Sequence, residues 1–194
     1  MELLTGLLAA FGLSASAGLN AYIPLLVIGL VARYTDLIQL GSPWDAITSW
    51  WILGLLILLS VVEFFADKIP AVNHANDAVQ TLIRPVAGAI VFAASANVIS
   101  DIHPVLALAA GLLVAGTVHA VKSAAVRPAV TATTGGVGNV PVSVAEDVLA
   151  TFLSVLAVVL PILLAFIFLV ILSIIIWYFW RKSNRKQFEP ITKS

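Results

Sequence analysis

The sequence contains no cysteine, and only 10% of its residues carry a charge. Without cysteine the chain can form no disulfide, no thiolate metal site and no covalent intermediate on a thiol. Motifs of several enzyme classes are missing as well. There is no phosphate-binding G-x-x-x-x-G-K-[ST] pattern, no Ser-His-Asp order and no metalloprotease motif. We therefore expect no enzymatic activity and no cofactor.

Histidine is also scarce, and the three histidines do not predict a metal site. His74, His103 and His119 lack the close spacing of residues that share one metal ion. His119 stands among small residues, and we expect it to hydrogen-bond across a tight contact between helices. The sequence does not identify a metal. Close helix packing is also predicted by small residues at Gly12, Ser14, Ser16, Gly18, Ala107, Gly111 and Ala115.

Apolar residues, in contrast, are abundant. They make up 61% of the chain, and the mean hydropathy is +1.07, whereas soluble domains are roughly 45–50% apolar. Several stretches exceed the ~18 apolar residues that indicate a membrane-spanning helix. The sequence predicts an all-α, polytopic membrane protein with about five transmembrane segments. These cover residues 3–32, 47–65, 78–99, 104–125 and 148–180.

Segment one is expected to be interrupted, and segment five is too long to cross the bilayer as one straight perpendicular helix. The first contains small and polar residues from Ser14 to Asn20, and then Pro24. The fifth would form a helix about 50 Å long against a bilayer core of ~30 Å. It must therefore tilt, kink at Pro161 or project from the membrane. We expect one transmembrane domain over residues 1–180.

A basic tail follows over residues 181–194 and holds five of the ten basic residues. Lipid or nucleic-acid binding would suit such a tail, but positive charges beside a span more often keep it in the cytoplasm. We expect a cytoplasmic C-terminus and no nucleic-acid partner. With five crossings, the loops that carry Lys68 and Arg127 would then face outward, against the usual charge bias. Either these residues are buried in the protein or one segment is re-entrant, and we expect burial.

Apolar and polar residues recur with a helical period over residues 71–83. On a helix they would form an apolar face and a polar face, and the polar face includes His74, Asn76, Asp77 and Gln80. Two interpretations are about equally favoured. The segment is either a helix that lies in the membrane interface or a helix whose polar face lines a cavity.

The two ends of the chain contain similar patterns. "SAGLNA" (16–21) aligns with "SAAVRP" (123–128), and "SVVE" (60–63) aligns with "SVAE" (143–146). If segments one and two correspond to segments four and five, an odd number of spans separates them, and the copies are inverted, as in many transporters. Chance similarity in an Ala- and Val-rich chain is the alternative.

The first charged cluster is Glu63, Asp67 and Lys68, at the end of segment two. On a continuing helix the two carboxylates share one face. Carboxylates inside a membrane suit cation binding or proton transfer. The alternative is that all three side chains lie among the lipid headgroups, where charge costs little.

The second cluster spans residues 122–147. It contains Lys122, Arg127 and the pair Glu146-Asp147, with a glycine-rich turn that lets the backbone bend and approach a ligand. Ser143 followed by Glu146 also matches a helix-capping box, which would explain both residues but not Asp147.

Arg84 and Arg127 each precede a proline, which disfavours the helical conformation at the arginine. We expect these guanidinium groups to form ion pairs with the buried carboxylates, or alternatively to bind an anionic substrate. The ion pairs are favoured because the four carboxylates need counter-charges.

Three stretches resemble one family: "SASAGLNAYIPLL", "VEFFADKIPAVNHANDAVQTLIRPVAGA" and "VKSAAVRPAVTATTGGVGN". The family is an uncharacterised bacterial integral-membrane domain of unknown function, also found in cyanobacteria and plant plastids. The resemblance covers most of the chain up to about Asp147 and implies a polytopic protein of a bacterial cytoplasmic or thylakoid membrane, with no established activity. "EFFADK" is also similar to the E-x-G-D-K motif of small cation/proton exchangers, although here the acids are four residues apart and the glycine is absent.

Together these patterns predict a small transporter or channel for an ion or small polar solute. The prediction includes transport that is coupled to cations or protons. The alternative is a membrane scaffold or lipid-interacting protein whose charges are structural. Expected partners are membrane lipids, the solute and a possible second copy of the chain. The candidate binding residues are Glu63, Asp67, Lys68, Arg84, Arg127, Glu146, Asp147 and Asn20.

Overall fold

The structure, a computed structural model, describes residues 2–68, 70–97 and 102–187. Within these ranges the chain is helical and contains no strand. A 3₁₀ turn over Trp44–Thr48 precedes α3, and a π turn over Lys122–Val126 joins α5 to α6. The helices are α1 (Glu2–Leu19), α2 (Tyr22–Tyr34), α3 (Trp50–Ala66), α4 (Pro70–Asn97), α5 (Pro104–Val121), α6 (Arg127–Thr134), α7 (Asn139–Val159) and α8 (Pro161–Gln187).

Among the described residues, four helical stretches are long and apolar enough to cross a membrane: Ala78–Ala96, Pro104–Thr134, Asn139–Val159 and Pro161–Lys182. The shorter helices α1, α2 and α3 are apolar as well. The predicted fold class, a helical membrane protein with interrupted helices, is therefore confirmed.

The predicted interruption of segment one is present, and of the three alternatives for segment five the structure has the break at Pro161. Segment one divides at Asn20, whose Oδ1 accepts hydrogen bonds of 3.1 Å from the backbone N–H groups of Tyr22 and Ile23 at the start of α2. Segment five divides at Leu160, which leaves the helical conformation with φ −136° and ψ 60° just before Pro161. The predicted start of segment five was wrong, because α7 begins at Asn139 rather than near Val148.

The polar segment 71–83 is not a separate helix. It forms the first half of α4, which continues without a break into the predicted third span. The buried Gln80 and the partly buried Asn76 face the protein interior, so this part of the polar face is turned inward rather than toward an interface.

The expected helix breaks at the two arginines were wrong. Arg84 lies inside α4, and Arg127 has helical angles of φ −64° and ψ −44°. Before Arg127 the helix widens into the π turn, in which the Arg127 N–H donates to the carbonyl of Lys122. A proline ring clashes with the carbonyl one turn earlier in a regular α-helix, and a wider turn ahead of Pro128 relieves that clash.

Small residues let α1 pack closely against α4 and α5, as predicted. The buried Ser14 hydroxyl donates to the carbonyl of Gly111 at 2.8 Å and lies 3.2 Å from that of Gly88. A Cβ at Gly18 would stand 2.6 Å from the carbonyl of Ala115. Because α1 also contacts α7, it forms the centre of the helix bundle.

Candidate functional site

The charged residues of the interior form two neighbouring groups, which we together call the polar centre. It contains all eight residues that the sequence predicts as a site, together with Lys122. Contacts join Glu63, Asp67, Arg84, Lys122, Arg127 and Glu146 in one group, and Asn20, Lys68 and Asp147 in the other.

The most buried pair connects α3 with α4. Arg84 Nη2 donates to Glu63 Oε1 at 2.9 Å, and the two residues are 0% and 2% exposed. The other carboxylate oxygen, Glu63 Oε2, and Arg84 Nε have no hydrogen-bond partner within the part of the chain that the structure describes. The pair is therefore held through one oxygen of the carboxylate.

Asp67 follows the last residue of α3 and accepts the largest number of hydrogen bonds in the polar centre. Its Oδ1 accepts from Asn76 Nδ2 at 2.6 Å, and its Oδ2 accepts from Arg127 Nη2 at 3.1 Å and from the Ser143 hydroxyl at 3.2 Å. Arg84 Nη2 stands 3.9 Å from the same oxygen. Burial opposes the charged form, but the nearby Arg127, Lys122 and Arg84 hold the pKa of Asp67 below its usual value.

Glu146 links α7 to the π turn and α6. Its Oε2 lies 2.7 Å from Lys122 Nζ and 3.2 Å from Arg127 Nη2. Lys122 also donates to the carbonyl of Leu19, at the end of α1, at 3.0 Å. These contacts explain how two positive charges are tolerated inside an apolar stretch.

The predicted capping box was wrong. Helix α7 begins at Asn139, so Ser143 and Glu146 lie inside the helix rather than at its N-terminus. Both side chains instead face the polar centre, where Ser143 donates to Asp67.

Asp147 is bound by Asn20 and Lys68. Asn20 Nδ2 donates to Asp147 Oδ1 at 3.0 Å, while the opposite end of the same amide caps α2. Lys68 Nζ lies 3.7 Å from Asp147 Oδ2 and donates to the carbonyl of Phe64 at 2.8 Å. Lys68 and Arg127 are the two basic residues whose loops would face outward in the predicted topology. Arg127 is buried, as predicted, and Lys68 is partly exposed.

His119 hydrogen-bonds across a helix contact, as the sequence predicts. Its Nδ1 stands 3.2 Å from Arg84 Nη1, and its Nε2 stands 3.2 Å from the Thr81 hydroxyl. A guanidinium can only donate, so Nδ1 is the acceptor and the ring proton is on Nε2. His119 thus holds Nη1 of the Arg84 guanidinium, while Nη2 of the same group binds Glu63.

Lys122 belongs to the second charged cluster of the sequence but was not among the residues predicted for the site. The signal that identified Arg84, a charge inside an apolar stretch, applies equally to Lys122. Asn76 and Ser143 could not be found in this way, because they are ordinary polar residues whose partner is distant in the sequence.

The glycine-rich turn does not contribute to the polar centre. Gly135 and Gly136 adopt positive φ angles of 62° and 92°, which glycine favours, and a Cβ at either would meet nothing within 4 Å. Asn139 donates to the Thr131 hydroxyl at 2.9 Å instead of facing a ligand. The turn therefore connects α6 to α7.

An apolar groove of about 440 Å³ runs along one side of the polar centre. Leu19, Val118 and Leu149 are among its walls, and the ion-paired Lys122 and Glu146 belong to its lining. Among the described residues, no group of three or more histidine, aspartate or glutamate side chains could hold a metal ion.

One family model matches the chain. Residues 7–181 match the domain of unknown function DUF4126. No curated protein and no solved structure matches it. Because the matched range includes every residue of the polar centre and most of the chain, this protein belongs to the DUF4126 family.

Proposed function

We propose that this protein is a small membrane transporter or channel that moves an ion or small polar solute past the polar centre. The observation that carries this proposal is the number of charged side chains in the polar centre. Among the described side chains, four carboxylates and four basic groups are gathered between apolar helices. Charges inside a membrane are costly and rare, and they commonly mark ion or solute pathways.

The backbone around the polar centre supports the same function. The break between α1 and α2 occurs at Asn20, which binds Asp147. The π turn of Lys122–Val126 begins at Lys122 and ends just before Arg127, and both of these residues belong to the polar centre. Interrupted helices whose ends meet at a polar site are typical of solute-binding sites in secondary transporters.

We also propose an orientation and a location. The exposed Arg181 and Lys182, which follow the aromatic end of the α8 span, favour a cytoplasmic C-terminus. The membrane would be a bacterial cytoplasmic membrane or a thylakoid membrane, and no catalysis is proposed.

The experiment is a flux panel on the full chain in liposomes. Dyes inside the vesicles would report protons, monovalent cations and divalent metal ions, each with an imposed gradient. We expect the protein to move at least one of these above the leak of protein-free vesicles. Flux equal to that leak for every ion, in both orientations of the gradient, contradicts the proposal.

The groove beside Lys122 favours a second candidate, a lipid-interacting protein or scaffold. In that case the ion pairs only hold helices together, and the apolar groove holds an acyl chain. Lipid that co-purifies with the protein and protects it against heating, with no ion flux, would support this candidate over transport.

A further inference from the structure

We propose that Glu63 is the group of the polar centre that binds and releases a proton, at Oε2. A role of this proton as the transported ion or the coupling ion rests on the proposed function. The protonation of Glu63 itself does not rest on it, and the two are tested by separate measurements.

The four carboxylates differ in how completely they are bound. Asp67 has partners on both oxygens, from Asn76 on one and from Arg127 and Ser143 on the other. Glu63 is the most deeply buried of the four, and its Oε2 has no partner within the described residues. A buried carboxylate oxygen without a donor is costly when charged. Glu63 therefore gains more from binding a proton than Asp67 does.

We assign the acceptor of that proton to Gln80, on the facing helix. Gln80 precedes Arg84 by one turn of α4, so the two side chains share a helix face. Gln80 is buried, and its Oε1 is a second acceptor without a partner among the described residues. The Tyr22 hydroxyl lies beside the Gln80 amide and within electrostatic reach of Glu63 and Arg84. Both oxygens are acceptors without a donor among the described residues, and both residues interact with Tyr22. A proton on Glu63 Oε2 would supply one O–H donor.

The ion pair with Arg84 is compatible with both states of Glu63. Only Oε1 accepts from Arg84 Nη2. When a proton from water joins Oε2, one O–H bond forms, the carboxylate charge is lost and Oε1 still accepts from the guanidinium. When the proton leaves to water, the charge returns and the pair regains its full strength. Glu63 can thus exchange a proton without giving up its contact with α4.

The groups around Glu63 come from each neighbouring element. Arg84 faces it from α4, Lys122 from the π turn and Tyr22 from α2, and Asp67 lies one turn along its own helix. On α7, Glu146 is bound by Lys122 and Arg127, and Asp147 by Lys68. The exposed Asp45 lies before the opposite end of α3. Of these groups, Arg84, Asp67 and Lys122 act electrostatically on Glu63, and the Tyr22 hydroxyl lies within reach of its charge.

Infrared difference spectroscopy tests the protonation directly. The full chain in lipid would be stepped from alkaline to acidic pH, and the carbonyl band of a buried protonated carboxyl group followed. We expect a band that shifts on ¹³C-glutamate labelling and is absent from Glu63→Gln. It should be present unchanged in Asp45→Asn, the matched control at an exposed acid. Gln80→Leu should move the band to higher frequency, since the carboxyl group loses its acceptor.

The label and the Gln80 variant keep the test valid if Glu63→Gln does not fold, because both retain Glu63. No glutamate-derived band in the wild type at any pH, or a band that persists in folded Glu63→Gln, overturns the assignment of Glu63. Ion flux without such a band leaves the proposed transport standing and removes the proton site. A titrating Glu63 band without any flux leaves the proton site standing and contradicts transport.

Discussion

The Arg84 guanidinium donates to Glu63 across 2.9 Å at a position where both side chains are 1% exposed. The two residues are 21 positions apart, on different helices. The pair therefore fixes α3 against α4 at the polar centre. Removing Glu63 leaves a buried guanidinium without its closest counter-charge, and removing Arg84 leaves a buried carboxylate that is stable only when it binds a proton.

The Glu63–Arg84 pair should show strong energetic coupling. Arg84→Ala and Glu63→Gln should each lower stability, by about 3–5 kcal/mol for a broken buried pair. The double variant should be less impaired than the sum of the two, because no unpaired charge remains. Thermal unfolding in detergent measures this, with the exposed Arg181→Ala as the control. Strictly additive losses would show that the two charges do not interact.

Coupling between Arg127 and Glu146 should be weaker. In Arg127→Ala, Glu146 keeps its 2.7 Å contact with Lys122, whereas Asp67 loses a donor at 3.1 Å. A double-mutant cycle in the same detergent should therefore give a smaller coupling for Arg127 with Glu146 than for Arg127 with Asp67. The reverse order would contradict the observed division of contacts.

Acid should destabilise the protein through Asp67. The pKa of this carboxyl is lowered in the folded state, so the unfolded chain binds more protons as the pH falls. The stabilisation is fully present above the unfolded-state pKa and is lost as the pH falls through the folded-state pKa. Unfolding temperatures over an acidic pH series should fall less steeply in Asp67→Asn than in the wild type. The control is Asp45→Asn, whose unfolding temperature should fall with pH as steeply as that of the wild type. An equally steep fall in Asp67→Asn would argue against a charged Asp67.

Two glycines offer a matched test of the helix packing. A Cβ at Gly111 would stand 2.6 Å from Phe92 Cβ and 2.8 Å from Ala89 Cα, whereas one at Gly54 would meet nothing within 4 Å. Gly111→Ala should therefore cost about 1–3 kcal/mol from overpacking. Gly54→Ala should be neutral or stabilising by up to about 1 kcal/mol through helix propensity. Similar unfolding temperatures for the two variants would contradict the close contact of α4 with α5.

The inverted repeat and the orientation remain predictions. Segments one and two should superpose on segments four and five after rotation about an axis in the membrane plane, which an experimental structure would test.

A C-terminal reporter should be active only on the cytoplasmic side. Activity only on the far side would reverse the orientation.

The polar centre could be predicted from sequence because isolated charges in apolar stretches need counter-charges. That rule grouped Glu63 and Arg84 without any knowledge of the fold. It could not find Ser143, whose contact with Asp67 joins residues 76 positions apart. The local pattern at Ser143 also matched a helix cap, and only the start of α7 at Asn139 decides between the two roles.

Helix boundaries were harder to predict than the site. A proline after Arg84 argues locally for a break, yet Pro85 lies within the continuous α4. Packing of α4 against α1 and α5 outweighs that local preference. At Arg127 the chain meets the same constraint with a π turn, which hydrophobic periodicity does not reveal.

The most direct test of transport through the polar centre is ion flux in liposomes for the wild type and for the double variant Glu63→Gln with Arg84→Ala. The double variant leaves no unpaired charge at this pair, so its fold should be the better preserved, which an unfolding scan verifies. We predict flux above the protein-free leak for the wild type and for Asp45→Asn, and loss of flux in the folded double variant. Undiminished flux in the folded double variant, or none in the wild type, would contradict the account.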